Sequence, residues 1–572
     1  MKKSLISTLV ASAISSPVWA QSAQPLLPSL ETVVVVASRT ETPLRELGTS
    51  VAVMDELQIS AQGFTALADV LRTLPSVSVS NSGGMGKTSS ISVRGESGYR
   101  TQVRIDGVDI TDPTGTQAGA QIQHVLTSNV GRVELLRGPQ GMMYGADAGG
   151  VLNISTRQTD GDLRINALAE AGRYGTENYN VSVGAGGQAL DYFMAASRAQ
   201  TDGFNAHEKD IELADKDGYT NTTLHGRLGW QATESLRVQA VLRNTDAESE
   251  FDRCFDVYDC VEDFSQQNAR ASVSYTTGTL NHELAYSVAD IERTNYAEGA
   301  VSYDVEGSVS KLELLGNVNL TSAHALVYGL EQRADKVRQA ERDQLGLLAE
   351  YQGQFIDRIF VTLGVREDDN DDFGSHTSYR ASAAYVLPVA VGEIKFKTSY
   401  GTGFRAPSLS EIDYNQSQNN PDLAPLEAET SEGFDVGVSY FAASGLHLEA
   451  VWFDQSIDNA IDFDMVGYTG YMQVQGESRS RGIELAAGVP ISDALVVHAN
   501  YTWVDASEID GSPRLRRPEH LANLSLLYSP TDKLQTAVHL RVASSVTDAF
   551  GSSAYLDGYQ VAGASVRYQV LP

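Results

Sequence analysis

The chain has 572 residues, with 73 Asp and Glu against 42 Lys and Arg, so its formal net charge is −31. So acidic a chain, without a compensating basic patch, is a poor partner for nucleic acid. Its scattered histidines form no ordered Ser/His/Asp arrangement and no paired-carboxylate site emerges, so we do not expect an enzyme.

Residues 1–20 have the pattern of a cleavable signal peptide. Lys2 and Lys3 form the charged start, Leu5 to Ile14 the apolar segment, and Val18 to Ala20 the small-residue cleavage site. No later stretch approaches the ~18 consecutive apolar residues of a membrane helix. We therefore expect an exported chain that is either soluble or a transmembrane β-barrel.

A short β-prone run follows the signal peptide within residues 21–40. Prolines flank it at Pro25, Pro28 and Pro43, so we expect it to lie outside any folded domain as a mobile, unpaired strand. Such a strand can add to the sheet edge of a partner protein. The alternative is an ordinary first strand of a globular domain. The run consists of Glu31, Thr32, Val33, Val34, Val35, Val36 and Ala37.

Residues 41–158 predict a compact α+β domain. Apolar residues from Phe64 to Leu74 recur at helical spacing, and Pro75 ends the predicted helix. Three short apolar pieces separated by glycine-rich turns predict a small sheet: Ile91 to Val93, Val103 to Ile105, and Val133 to Leu136.

Residues 159–572 show a repeated period of two. Ile394, Phe396 and Tyr400, for example, alternate with charged and polar residues. About twenty such segments in an exported chain are typical of a membrane β-barrel. The alternative is an array of soluble β-sandwiches.

Several motifs occur in a fixed order and resemble those of the TonB-dependent receptors of the Gram-negative outer membrane. The resemblance covers about residues 31–572. Within the family, the chain is most similar in detail to the cobalamin (vitamin B12) receptor branch. The motifs are Ser90 to Gly95, Val103 to Val108, Val133 to Pro139, Tyr144-Gly145, Gly149 to Ile154, Tyr400 to Pro407, Asn420 to Glu427 and Arg481 to Glu484.

This resemblance implies a transmembrane barrel of about 22 antiparallel strands, with the N-terminal domain as a plug inside its lumen. It implies that residues 31–37 are the TonB box, which binds the inner-membrane energy-transducing protein TonB. The expected protein is a monomer in outer-membrane lipid that imports a scarce large solute, such as cobalamin or an iron chelate. A passive porin or a surface adhesin is the alternative, although neither has a use for a plug.

Two arginines of the plug motifs, Arg94 and Arg137, are expected to face the desolvated barrel wall. A buried guanidinium needs a carboxylate partner. The acidic residues of the matching barrel strands, Glu432 and Glu484, are the predicted partners, and these four residues would attach plug to barrel.

Four aspartates are candidate ligands for Ca²⁺, which prefers carboxylate oxygens on flexible loops. Asp215 and Asp217 resemble the calcium-binding loop of the cobalamin receptor branch, and Asp246 and Asp252 fall in the next hairpin. A solvated turn without a metal is the alternative. Cys254 and Cys260, close together in an exported chain, are predicted to form a disulfide.

The C-terminal end departs from the family pattern. The last predicted strand, Val561 to Val570, is followed by Leu571-Pro572 rather than by a terminal aromatic residue. We expect about two strands to be missing from the family barrel. The strand near Leu163 to Ala171 could pair with the last one to close a smaller barrel. The favoured interpretation is that the chain is a fragment.

Overall fold

The computed structural model describes residues 32–145, 149–159, 161–207, 215–254, 257–418, 420, 423–548 and 555–570. The predicted signal peptide, the segment up to Glu31, and Leu571-Pro572 lie outside these ranges, as do residues 421 and 422 of one barrel motif. Among the described residues no helix has the length and apolarity to cross a membrane.

The N-terminal part is built from short elements, as the interrupted apolar pattern predicts. Its strands and helices are β1 Val33–Val34, β2 Thr42–Pro43, β3 Val51–Asp55, α1 Glu56–Gln62, α2 Leu67–Leu71, β4 Val77–Asn81, β5 Ser89–Val93, β6 Glu96–Ser97, β7 Thr101–Ile105, β8 Val108–Asp109, β9 Thr111–Asp112, β10 Gly119–Ala120, β11 Val130–Arg137 and β12 Gly150–Thr156. Short 3₁₀ turns lie at Leu44–Glu46, Gly98–Arg100, Ile122–His124, Met142–Tyr144 and, in the barrel part, Arg173–Gly175.

The core of this plug domain lies between a five-stranded sheet, in the order β3-β11-β12-β7-β8, and the two helices. Asp55 and Gln58 form a capping box that starts α1, and Gly63 in the left-handed conformation ends it. The predicted helix is wrong in extent: α2 covers only Leu67–Leu71, and the helix α1 before it was not predicted.

Two motifs of the plug each contain a two-residue hairpin turn. Arg94 and Gly95 join β5 to β6 with φ of 52° and 82°, and Asp106 and Gly107 join β7 to β8 with φ of 46° and 84°. Positive φ at both central residues favours glycine at the second. The Arg94 turn reaches the barrel wall, because a Cβ on Gly95 would lie 2.7 Å from the Cβ of Ala506.

In the rest of the described residues, 20 strands form one sheet in which each strand is antiparallel to its neighbours. The strands are β13 Gly161–Ala171, β14 Glu177–Gly186, β15 Leu190–Thr201, β16 Tyr219–Gln231, β17 Leu236–Phe251, β18 Cys260–Thr277, β19 Leu280–Ala297, β20 Ala300–Asn319, β21 His324–Val337, β22 Ala340–Phe355, β23 Ile359–Asn370, β24 Gly374–Val389, β25 Gly392–Arg405, β26 Glu429–Ala442, β27 His447–Phe463, β28 Tyr471–Ser492, β29 Leu495–Ser507, β30 His520–Thr531, β31 Leu534–Ala543 and β34 Tyr559–Tyr568. Between them lie the helix α3 Leu409–Ser417 and the hairpin of β32 Val546–Thr547 and β33 Tyr555–Leu556.

The alternation places apolar side chains outside and polar ones inside. On β25, Phe396 and Tyr400 are exposed, whereas Lys395 and Lys397 are buried on the inner face. This is the inverse of a soluble sheet and is the pattern of a barrel whose outer face contacts lipid.

The first and last strands of the barrel are the two edges of its sheet. In the described residues β13 pairs with β14 and β34 with β31, so the direct pairing of first and last strands, considered above as the alternative to a fragment, is not present. Residues of both edge strands are largely exposed on both faces.

Candidate functional site

The β-prone run after the predicted signal peptide is folded against the plug, so the prediction of an unpaired strand is wrong for Thr32 to Ala37. Val33 and Val34 pair with Pro43 and Thr42, and the side chain of Val34 is buried with Ala37 and Leu47. Glu31 lies outside the described residues. Burial of Val34 and Val36 supplies a driving force that a sequence pattern without a visible partner does not reveal.

Strand β11 holds this run through its charged side chains. Glu134 accepts hydrogen bonds from the backbone N–H groups of Val35 (3.0 Å) and Val36 (2.9 Å). Its other oxygen accepts Nε of Arg132 at 2.6 Å, and Arg132 in turn donates to the carbonyl oxygen of Val33. The backbone groups that strand addition needs are therefore occupied.

A buried ion cluster joins the plug to the wall at the Arg94 turn. Arg94 donates Nε to Glu484 and Nη1 to Asp435, each at 2.7 Å, and its guanidinium lies over the ring of Phe453. Burial alone would lower the pKa of the Arg94 guanidinium, but the carboxylates of Asp435 and Glu484 raise it above its ordinary value. The Ser76 hydroxyl also donates to Glu484, at 2.5 Å.

The second predicted arginine joins the same cluster. Arg137 donates Nη1 to Glu484 at 2.5 Å and Nη2 to Glu449 at 3.2 Å. The prediction of Glu432 as a partner is wrong. Glu432 lies on the outer face of β26 and accepts a hydrogen bond from the Tyr400 hydroxyl at 2.9 Å. Because side chains alternate along a strand, Asp435, three residues away, points inward instead. We call Arg94, Arg137, Asp435, Glu449 and Glu484 the ion cluster.

One plug strand connects the two contact regions. Glu134, which holds the N-terminal run, and Arg137, which enters the ion cluster, lie three residues apart on β11, about 10 Å of extended chain. A single short strand therefore carries the contacts to both the N-terminal run and the ion cluster.

Three of the four predicted calcium ligands come together at the other end of the barrel. Carboxylate oxygens of Asp215, Asp217 and Asp252 lie within 4.8 Å of one another. Asp246 does not join them, because it points to the outer face of β17, where it accepts hydrogen bonds from Ser265 and Asn244.

A plug lysine reaches this acidic group. Lys87 donates to the carbonyl oxygen of Gly218 at 2.6 Å and to the Ser249 hydroxyl at 3.2 Å. Burial lowers the pKa of Lys87 to about 8, partly offset by Asp217, Glu250 and Asp252. The plug segment that carries Lys87, here called the plug tip, thus lies in electrostatic contact with the acidic loop. The loop beside it carries a disulfide between Cys254 and Cys260, with Cα atoms 6.1 Å apart.

The sequence analysis missed a second ionic connection between plug and barrel. Arg405 lies between Glu411 of α3 (3.1 Å) and Glu429 (2.9 Å), and Glu429 also accepts Arg100 of the plug at 2.8 Å. The Ser408 hydroxyl donates to the carbonyl oxygen of Thr116 at 2.6 Å. The capping pattern Ser408-x-x-Glu411 before α3 could have indicated this helix.

The same helix contributes to an aromatic group that the sequence did not reveal. Tyr414 packs edge-on against Phe463 and Tyr471, each with a ring-centroid distance of 5.6 Å. Tyr468 lies at 6.2 Å from Phe463 and is exposed. Aromatic faces at the open end of a barrel suit contact with a large, partly apolar solute.

Two family models account for nearly all of the chain. Residues 152–571 match the TonB dependent receptor-like β-barrel, and residues 43–152 match the TonB-dependent receptor plug domain. The chain belongs to the TonB-dependent receptor family.

Relatives of this TonB-dependent receptor include two vitamin B12 transporters named BtuB. Those of Photobacterium profundum and Vibrio vulnificus are each 27% identical over 100% of this chain, covering 94% and 93% of their own lengths. Among solved structures, the ferric enterobactin receptor PfeA of Pseudomonas aeruginosa, as a mutant, superposes with a TM-score of 0.77 at 17% identity, over 94% of this chain and 93% of that one. The siderophore receptor PirA of Acinetobacter baumannii gives 0.76 at 16%, over 92% of both chains.

In this receptor the folded N-terminal run is the segment predicted as the TonB box. The family is one of receptors and transporters rather than of enzymes. The ion cluster lies where the plug meets β26, β27 and β28 of the barrel.

Proposed function

We propose that this receptor resides in the outer membrane and imports a scarce large solute with energy from TonB. The observation that carries the proposal is the arrangement on β11. Glu134 holds the predicted TonB box and Arg137 holds the ion cluster, so a pull on the box acts on the attachment of the plug. A passive porin would have no use for such a connection, since its lumen must stay open.

Cobalamin is the first candidate solute, because the BtuB relatives align over the whole chain. A ferric siderophore is the second, because the similar solved structures are siderophore receptors, although their identity of 16–18% supports only the fold. The aromatic group of Tyr414, Phe463 and Tyr471 would contact the solute at the mouth of the barrel.

We further propose that Asp215, Asp217 and Asp252 bind Ca²⁺. Three carboxylates from two loops offer the hard oxygen ligands that this ion prefers. A bound cation would tie the two loops together and would repel the nearby ammonium of Lys87. Order in the loops and the position of the plug tip would then depend on the ion.

The test measures binding and uptake of radiolabelled cyanocobalamin and of ferric enterobactin by cells that express the full chain. We expect uptake of one of them in cells with TonB, and binding without uptake in cells without it. Deletion of residues 31–37 should have the same effect as loss of TonB. Equal uptake with and without TonB would overturn the proposal in favour of a passive pore.

A further inference from the structure

One buried lysine of the barrel wall has no carboxylate of its own. Lys395 of β25 is 4% exposed and donates a hydrogen bond to the carbonyl oxygen of Leu44 in the plug. In the described residues it forms no ion pair, because the carboxylate near it, Glu449, already accepts Arg137 at 3.2 Å and Lys397 at 3.0 Å.

The charged groups around Lys395 do not balance. The ion cluster has two arginines and three carboxylates, and Lys397 adds one positive charge, so these six groups are neutral together. Lys395 then leaves one positive charge in excess. A buried ammonium without a counter-ion either loses its proton or is matched by a bound anion.

A cavity of about 290 Å³ beside Lys395 has room for such an anion. It lies between the plug and strands β25 to β31 of the wall, and Leu44, whose N–H donates to the carbonyl oxygen of Thr32, lines it. In the described residues its lining has five Lys and Arg side chains and two carboxylates, Asp69 and Glu449, which both have basic partners. The cavity is therefore basic, although the net charge of the chain is −31.

Two imidazoles line the same cavity from a single row of the wall. His447 of β27 and His498 of β29 are both in register with Gly488 of the strand between them. Their Cα atoms are about 10 Å apart, two strand spacings, and glycine places no side chain between them. Nε2 of each ring is buried without a hydrogen-bond partner in the described residues. A ligand with acceptor oxygens would supply that partner.

The cavity also has an apolar part. Val53 of the plug strand β3 and Phe441 of β26 line it, and the ring of Phe441 stacks on that of His447 with centroids 4.4 Å apart. Few polar groups within an apolar lining are typical of a site for a small organic molecule. An anion that carries an apolar group fits both parts.

A metal ion fits this cavity poorly, although two histidines line it. The ammonium groups of Lys395 and Lys397 would repel a cation. Among the described residues, the three ligating side chains that lie close enough together to hold a metal are Asp215, Asp217 and Asp252, which belong to the acidic loop.

We propose that this cavity binds a small organic carboxylate. The carboxylate group would lie near Lys395, His447 and His498, and its apolar body would contact Phe441 and Val53. A carboxylate carries one negative charge, which matches the single positive charge in excess. The proposal does not depend on the transport function proposed above, and the site is separate from the aromatic group at the mouth of the barrel.

The test is isothermal titration calorimetry of the full chain in an uncharged detergent, with benzoate as the probe. Acetate carries the charge without the apolar body, and benzyl alcohol carries the apolar body without the charge. We expect benzoate to bind saturably and at least tenfold more tightly than either. Absence of saturable binding, or binding of acetate or benzyl alcohol as tightly as benzoate, would overturn the proposal and leave Lys395 as a deprotonated amine.

Lys395→Met should weaken the binding of benzoate at least tenfold, and Lys395→Arg, which keeps the charge, should restore it to within threefold. Arg541→Met is the matched control. Arg541 also lines the cavity without an ion pair in the described residues and donates to the carbonyl oxygen of Arg72 at 3.3 Å, but it lies six strands from Lys395, on β31. Its removal should change the affinity for benzoate less than twofold.

Unchanged binding by Lys395→Met, or equal losses in Lys395→Met and Arg541→Met, would refute the placement of the carboxylate. Should Lys395→Met fail to fold, Ala486→Phe, which fills the cavity from β28, provides the second variant. Ala486→Phe should abolish the binding of benzoate, and wild-type affinity in this variant would exclude the cavity as the site.

Discussion

The docked N-terminal run, which we propose is the TonB box, allows a quantitative prediction for Glu134→Ala. This change removes the acceptor of two backbone hydrogen bonds, from Val35 and Val36. Hydrogen bonds to a charged group contribute about 1.5 kcal/mol each at the lower end of their range, which applies here because Val35 is partly exposed. The loss is about 3 kcal/mol, or about a 100-fold larger population of released box.

Only a released box can pair with TonB, so apparent affinity scales with the population of the released state. The affinity of the unliganded receptor for the periplasmic C-terminal domain of TonB should therefore rise by up to about 100-fold. The measurement is equilibrium binding to the detergent-solubilised full chain. Glu134→Gln, which keeps a neutral acceptor, should give a smaller increase, since neutral hydrogen bonds are weaker.

Glu56→Gln is the matched control, because Glu56 is also a plug carboxylate paired with an arginine, Arg157, at 3.0 Å, and makes no contact with the box in the described residues. The affinity of the Glu56→Gln variant for TonB should equal that of the wild type. An unchanged affinity in Glu134→Ala would refute the idea that this carboxylate holds the box.

Three further predictions concern the box, the ion cluster and the acidic loop. Val34→Pro should abolish energised uptake and leave ligand affinity unchanged, because proline removes a backbone donor needed for strand addition; normal uptake would contradict the assignment of the box. Glu484→Gln should destabilise the attachment of the plug by about 3–5 kcal/mol, since it leaves two buried arginines poorly paired. Limited proteolysis in urea measures this, and Glu432→Gln on the outer face should behave as wild type. A chelator should weaken ligand binding in the wild type and in Asp246→Ala but not in Asp217→Ala; equal sensitivity in all three would exclude the metal site.

Two wrong site predictions share a cause that the sequence could have revealed. Glu432 has the same parity along β26 as Phe434 and Val436, whose exposed side chains face outward. Asp246 has the same parity along β17 as Leu242, which is also exposed. Since side chains alternate strictly along a strand, the apolar residues mark the outer face and exclude both acidic residues from the interior.

The sequence by itself determined the architecture. Alternation with a period of two distinguishes lipid-facing from lumen-facing residues, and the hairpin turns at Arg94-Gly95 and Asp106-Gly107 require glycine at fixed places. These features depend on neighbouring residues only, so a single chain without its partners displays them. The strands predicted around Ile91, Val103 and Val133 were confirmed for the same reason.

Only the tertiary structure decided which charges meet. The box is held by Glu134, about a hundred positions along the chain, and Arg94 meets Asp435 and Glu484 after separations of 341 and 390 residues. Which wall residue faces a given plug residue depends on the register and stagger of many strands and on the rotation of the plug within them. No local pattern contains that information, because each contact is the joint result of all the strand pairings between its two partners.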